Sequence, residues 1–173
     1  MTMNVLDPEF LGELSAFLKK AMRATYAGNG APVSDPDVQR PGFKEFVYGD
    51  GEWRYRDSYT GFLTSAGQEV VWYNDIPVWT QSYAGGMLPD YRKSELAKRC
   101  FAFLKDALVH GDKTIRFQAR GPRVFQHDEW RYQCKYGESG LVDFHGREEV
   151  SHDGRPVFFH HFFGGVIIHQ EQS

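Results

Sequence analysis

Cysteine is scarce in this chain, with only Cys100 and Cys134 among 173 residues. Two thiols make no disulfide framework, and a chain of this length buries a core without covalent staples or a structural metal, so both read as buried thiols in a reducing compartment. Long apolar runs are missing too: nothing approaches the roughly 20 residues of a membrane-spanning helix, and Met1–Glu9 lacks the basic start and apolar stretch of a secretion signal. The expectation is a soluble, cytoplasmic protein with no membrane partner. Excess charge is also absent. A net charge of −3 is too small, and of the wrong sign, for general binding to polyanions, which argues against nucleic acid as a direct partner.

Signatures of catalysis are equally sparse. Ser58, Ser65 and Ser82 stand in no nucleophile elbow, Cys134 has no histidine at a readable spacing, and Gly49-Asp50-Gly51 is a hairpin turn and not a phosphate loop. All seven histidines fall at or after His110, with no HxH or HExxH spacing. Adjacent His160 and His161 on a strand point to opposite faces, so one ion cannot use both. Neither a metal nor a cofactor is expected. Arg116, Arg120 and Arg123 could bind an anion, but the group reads more simply as a solvated loop, with Arg120-Gly121-Pro122 a turn entering a strand.

What the chain does have is aromatic residues, 16% of the total, and a long internal repeat. Glu52-Trp53-Arg54-Tyr55 returns as Glu129-Trp130-Arg131-Tyr132, and Tyr59, Gly67, Glu69, Val71, Pro77 and Gly85-Gly86 return in order as Tyr136, Gly146, Glu148, Val150, Pro156 and Gly164-Gly165. The offset is 77 residues at the tryptophan and 79 at the proline. Phe17-Leu18-Lys19 is matched by Phe103-Leu104-Lys105 ahead of each copy. Two copies of one long unit point to a duplicated domain with approximate twofold symmetry, because solenoids stack several short units.

Asp7-Pro8-Glu9 starts the first helix, with Asp as cap and Pro at the first helical position. Phe10, Leu14, Phe17, Leu18 and Ala21 continue at helical spacing until Gly28-Asn29-Gly30 stops it. After a loop from Gly28 to Gly42, alternating runs at 43–48, 52–59, 68–73 and 77–83, punctuated by Asp50-Gly51 and Asn74-Asp75, read as a four-stranded meander. The second half predicts a helix over 91–110, then strands at 123–126, 129–136, 148–152 and 156–163, with 166–169 as a short tail. The resulting expectation is an α+β fold and a single domain over 1–173. Its halves, about 8–88 and 90–168, each hold a helix and a four-stranded antiparallel meander; they pair into one larger antiparallel sheet with both helices on one face.

Thr25-Tyr26-Ala27, Arg40-Pro41, Tyr55-x-Asp57-x-Tyr59-x-Gly61, Gly67-Gln68-Glu69-x-Val71, Pro77-x-Trp79, Tyr83-x-Gly85 and Arg120-Gly121-Pro122 together resemble a bacterial family of domains of unknown function. Its members occur alone or behind a Cro-type helix-turn-helix. The resemblance spans nearly the whole chain, which looks like the stand-alone form; Gln81 and Ser82 depart from the Met and Asn usual in that strand. Fusion to a DNA-binding module implies, by analogy, a sensing role.

The repeat separates scaffold from specialised residues. Glu69 and Glu148 occur in both copies and read as structural acceptors of hydrogen bonds, or as groups for ligand contact or proton transfer. Asp57 differs from its counterpart Cys134, and alternation puts it on one face with Tyr55, Tyr59, Trp79, Gln81 and Tyr83. Either Asp57 pairs with a tyrosine hydroxyl inside the core, or the first half holds an aromatic, acid-containing cavity. The candidate ligand site is Tyr55, Asp57, Tyr59, Glu69, Trp79, Gln81 and Tyr83, with Tyr26 and Arg40 brought to the mouth by the 28–42 loop. Three functions stay open: a small-ligand binding or sensing module, an enzyme using Asp57 and Glu69 as a carboxylate pair, or an interaction domain with a solid core. The run Phe158–Phe163 is aromatic on both faces, so Phe159 and Phe163 call for a cover, either a homodimer or the tail 166–169.

Overall fold

A computed structural model describes residues 4–34, 37–110, 120–137 and 140–169; Arg116 lies outside these. Helix α1 spans Pro8–Ala24, with the Asp7 carboxylate accepting from the Glu9 amide at 2.8 Å as an N-cap. Strands β1 Lys44–Asp50, β2 Trp53–Gly61, β3 Thr64–Tyr73 and β4 Ile76–Met87 follow. A single 3₁₀ turn at Pro89–Tyr91 leads into α2 Ser94–His110, and then come β5 Val124–His127, β6 Trp130–Tyr136, β7 Asp143–His152 and β8 Arg155–Val166. The second helix starts later than the spacing suggests, because Arg92 and Lys93 bond back to Pro89 and Tyr91, and Lys93 supplies the first helical acceptor, to Ala97.

All eight strands join one antiparallel sheet in the order β1-β2-β3-β4-β8-β7-β6-β5, so each meander contributes four neighbours and the two meet where β4 pairs with β8. Paired features recur in the two halves. A bulge follows Val71 and again Val150. The Asn74 amide bonds the Glu52 carbonyl as the Asp153 amide bonds that of Glu129, both at 3.0 Å. At the seam, Leu88 N–H donates to Val157 and Ile167 N–H to Val78, both at 2.8 Å.

Residues directly opposed across antiparallel strands share a face, so the register sorts the side chains. Asp57, Glu69 and Gln81 lie in one row on the inner face, and Ser58, Gln68 and Ser82 in the next row on the outer face. Rings from both helices meet inner-face rings. Phe10 and Phe17 pack on Trp53 at 5.2 and 5.4 Å between centroids, Phe103 on Trp130 at 5.7 Å and Phe101 on Phe158 at 5.8 Å. Each such ring removed from water contributes about 1.5–3 kcal/mol, which holds the helices on that side.

Two sequence expectations need correction here. The chain after Val166 does not cover Phe159 and Phe163: because β8 pairs with β4, it runs on alongside Val78 and Pro77, and Phe163 stays 63% exposed. The loop after α1 does not bring Arg40 to a cavity on the helix side. It crosses the outer face, where the backbone amides of Gln39 and Arg40 donate to the buried Glu45 carboxylate at 3.1 and 2.9 Å and the Arg40 guanidinium donates to Gln68 Oε1 at 2.8 Å.

Candidate functional site

Where α1 ends, the helices and the inner face of the sheet do not close completely. A cavity of about 90 Å³ remains, lined by Tyr26 and Thr25 from the end of α1, Leu104 and Leu108 from α2, and Tyr55, Asp57, Tyr59, Ser65, Glu69, Tyr83, Arg120, Phe158 and His160. The cavity is partly open to solvent, so it admits a small molecule or the head of a larger one.

Its floor is polar and buried. Asp57 is 4% exposed and accepts a hydrogen bond from the Tyr83 hydroxyl at 2.8 Å. Tyr83 lies flat across Gly67: a Cβ at that glycine would stand 2.5 Å from the phenol oxygen, so the ring needs a residue without a side chain beneath it. Above the same ring sits the Arg120 guanidinium, 4.6 Å from the centroid. Arg120 is only 7% exposed. It donates to Glu69 Oε1 at 3.0 Å, and through Nε and a terminal nitrogen to Glu148 Oε1 at 3.1 and 3.0 Å. Glu148 also accepts from the Tyr132 hydroxyl at 2.9 Å, and its Oε1 lies 3.1 Å from His160 Nδ1. The other nitrogen of that imidazole, Nε2, is 3.0 Å from Ser65 Oγ.

The two glutamates occupy equivalent places but carry different proton affinities. Burial acts to raise both. For Glu148 the Arg120 charge and the bond to His160 outweigh burial and hold the carboxyl down at about 2. For Glu69 burial and the facing Asp57 prevail over Arg120, and its pKa rises to about 7. Burial likewise lifts Asp57 to about 6, against the bond from Tyr83 and the Arg120 charge. His160 is pushed below its usual range, chiefly by burial, so it is a neutral imidazole near pH 7. With Glu148 ionised, Nδ1 carries the proton and Nε2 is left as an acceptor.

Of the residues singled out from sequence, Tyr26, Tyr55, Asp57, Tyr59, Glu69 and Tyr83 come together around the cavity. Trp79 does not: its indole donates to the Leu141 carbonyl at 3.2 Å and stacks on Phe144 in the second half. Gln81 lies fully buried beside Glu69, its amide 3.4 Å from that carboxylate, and Arg40 is on the opposite face of the sheet. Nor does the cavity belong to the first half alone, because pairing of β4 with β8 brings Phe158 and His160 into its wall. Arg120 overturns the reading of its segment as a solvated loop, since two buried carboxylates hold it inside. Two inward-facing glutamates with no repeated cation were the signal for it, as buried carboxylates at both copies need a counter-ion. Among the described residues no group of three His, Cys, Asp or Glu is arranged to hold a metal ion, and no helix is long and apolar enough to cross a membrane.

The arrangement defines an α+β protein with an open antiparallel sheet and a small acid-lined cavity under its helices. The chain belongs to a family described as a domain of unknown function (DUF5680), whose model matches residues 57–167, from the middle of β2 through the end of β8. No curated protein and no solved structure matches it.

Proposed function

We propose that the protein is a small-ligand binding or sensing module that takes a cationic, hydrogen-bond-donating head group into this cavity. The observation that carries the reading is charge balance: Asp57, Glu69 and Glu148 are all buried around one buried guanidinium, Arg120. Glu148 claims most of that charge, which leaves Asp57 and Glu69 to share protons near neutrality. An entering ammonium group replaces a proton there and finds the rings of Tyr26 and Tyr59 beside it, each cation–π contact being worth about 0.5–2 kcal/mol. A carboxylate-pair enzyme is the less favoured reading. Asp57 and Glu69 stand opposite each other, but Tyr83 and Arg120 already fix them as acceptors. The cavity itself speaks against a solid interaction domain. Buried, unpaired Cys100 and Cys134 suit a reducing, cytoplasmic setting, and exposed Phe163 beside Phe159 suits a homodimer.

The test is a melting-temperature and calorimetric titration with ammonium ions, from methylammonium to benzylammonium, at pH 5 and pH 8. Binding should be tighter at pH 8, where the acids are ionised, and should weaken at least tenfold in Asp57→Asn. Absence of binding at either pH, or binding indifferent to Asp57, defeats the proposal.

A further inference from the structure

We propose that the same cavity is an acyl-transfer site in which Ser65 is the nucleophile, His160 its general base and Glu148 the residue that positions the imidazole. The inference rests on the cavity of the preceding reading but not on its cation. Three observations carry it. First, the hydrogen-bond chain runs Ser65 Oγ to His160 Nε2 at 3.0 Å and His160 Nδ1 to Glu148 Oε1 at 3.1 Å, with Ser65 and His160 both on the cavity wall. This is the geometry by which a base activates a hydroxyl while a buried carboxylate fixes its tautomer.

Second, the chain crosses a strand. Ser65 on β3 and His160 on β8 are both in register with Gly85 on the intervening β4, so their backbones stand roughly 10 Å apart at the usual strand spacing. The side chains meet only because nothing projects between them. A Cβ on Gly85 would lie 3.0 Å from His160 Cα and Cδ2 and 2.2 Å from the Phe159 carbonyl oxygen, and φ there is +151°. Third, the pseudo-twofold mate of the chain is inert. Its positions, 79 residues away in each case, are Phe144, Gln81 and Glu69 around Gly164, and Gln81 bonds Glu69 as His160 bonds Glu148. The scaffold thus demands the glycine and the glutamate twice, but a serine and a histidine only here.

The chemistry balances without a cofactor. Ser65 Oγ attacks the carbonyl carbon of a short acyl ester as its proton passes to His160 Nε2. The ester C–O bond then breaks, and the leaving alcohol takes that proton. Water then attacks the acyl-serine carbonyl as it gives a proton to Nε2, the bond from the acyl carbon to Ser65 Oγ breaks, and Oγ takes that proton back, releasing a carboxylic acid and free Ser65. Arg120 lines the same cavity and favours the developing oxyanion. The small cavity suits a short acyl group.

The test treats the full chain with a fluorophosphonate and, separately, with p-nitrophenyl acetate, and locates any adduct by peptide mass spectrometry. Labelling should be stoichiometric on Ser65, absent in Ser65→Ala, and at least 100-fold slower in His160→Gln, a side chain the mate site already accommodates beside its glutamate. The rate should rise with pH through the ionisation of His160, below its usual 6.5. The groups facing that ring are Glu148, Arg120, Tyr83 and Ser65; Glu148 in turn accepts from Tyr132, pairs across the sheet with Cys134 and interacts with Cys100. In Glu148→Gln the inflection should move lower still, a change that a purely structural role would not produce. No adduct, an adduct elsewhere, or an equal rate in His160→Gln overturns the assignment. Wild type that binds ammonium ions but is not labelled loses the acyl site alone, whereas labelled protein that binds no ammonium loses the cation alone.

Discussion

Asp57 should make the folded protein less stable at neutral pH than an uncharged isostere would. Its carboxyl rises from 3.8 to about 6 because burial outweighs the Tyr83 hydrogen bond and the Arg120 charge. The native state therefore binds the proton more tightly than the unfolded chain, and stability falls as pH climbs from about 4 to 6. At about 1.4 kcal/mol per pH unit, that rise corresponds to about 3 kcal/mol at pH 8. Asp57→Asn removes the charge and keeps an acceptor for Tyr83. Glu69, pushed up partly by Asp57, also relaxes in the same direction. Relative to wild type, the variant should gain about 3 kcal/mol between pH 3.5 and pH 8, or roughly 6–12 °C in melting temperature for a chain of this size. Urea and thermal unfolding followed by circular dichroism at several pH values measures this directly. A flat difference, or a variant that loses ground as pH rises, would mean that Asp57 is already paired as an anion, and the vacant-charge reasoning would fail.

Replacing Arg120 by methionine should cost about 3–5 kcal/mol at pH 8, the usual penalty for leaving buried charges uncompensated. Glu148, held at about 2 against an ordinary 4.5, stabilises the fold above pH 4.5 and loses that contribution as pH falls from there toward 2, so the Arg120→Met deficit should shrink in acid; an equal deficit at about pH 2.5 and pH 8 contradicts the ion-pair account. Wild type should run as a dimer in multi-angle light scattering, and Phe163→Ser should shift it toward monomer. A wild type that stays monomeric at high micromolar concentration removes the dimer.

The fold was readable because its signals are local and duplicated. Asp7-Pro8 caps α1, Asn74-Asp75 and Asp153-Gly154 turn with positive φ, and the repeat around Trp53 and Trp130 marks equivalent strands. Strand ends were less readable. Thr64–Gly67 and Asp143–Arg147 lack clean alternation, yet pair because the neighbouring strands extend alongside them. The aromatic and acidic wall at Tyr55, Asp57, Tyr59, Glu69 and Tyr83 followed from alternation alone. Ser65, Arg120 and His160 did not, for a physical reason: Ser65 and His160 converge only when β4 pairs with β8, and Arg120 joins them through Glu148, which pairs with His160 across the sheet. Gly85, recognisable as a backbone requirement, gave no sign that its missing side chain is the gap through which serine meets histidine.

Glu69 and Glu148 offer the sharpest check on how two halves with matching strands are chemically unequal. Each stands at the same place in its copy, on the inner face, opposite Gln81 or His160 respectively. One guanidinium cannot serve two equivalent carboxylates equally, and Arg120 donates two bonds to Glu148 and one to Glu69. Glu148 adds Tyr132 and His160, while Glu69 faces the repelling charge of Asp57. The same residue type should therefore titrate near 7 at position 69 and near 2 at position 148, about five pH units apart. Carbon-13 labelling of glutamate carboxyls, assigned with Glu69→Gln and Glu148→Gln, follows both signals from pH 4.5 to pH 8. Glu69 should move through most of its range and Glu148 should stay still as an anion, poised beside His160. Two signals that titrate together would show that Arg120 is shared evenly, and with that the distinction between a proton-holding half and an anion-holding half would disappear.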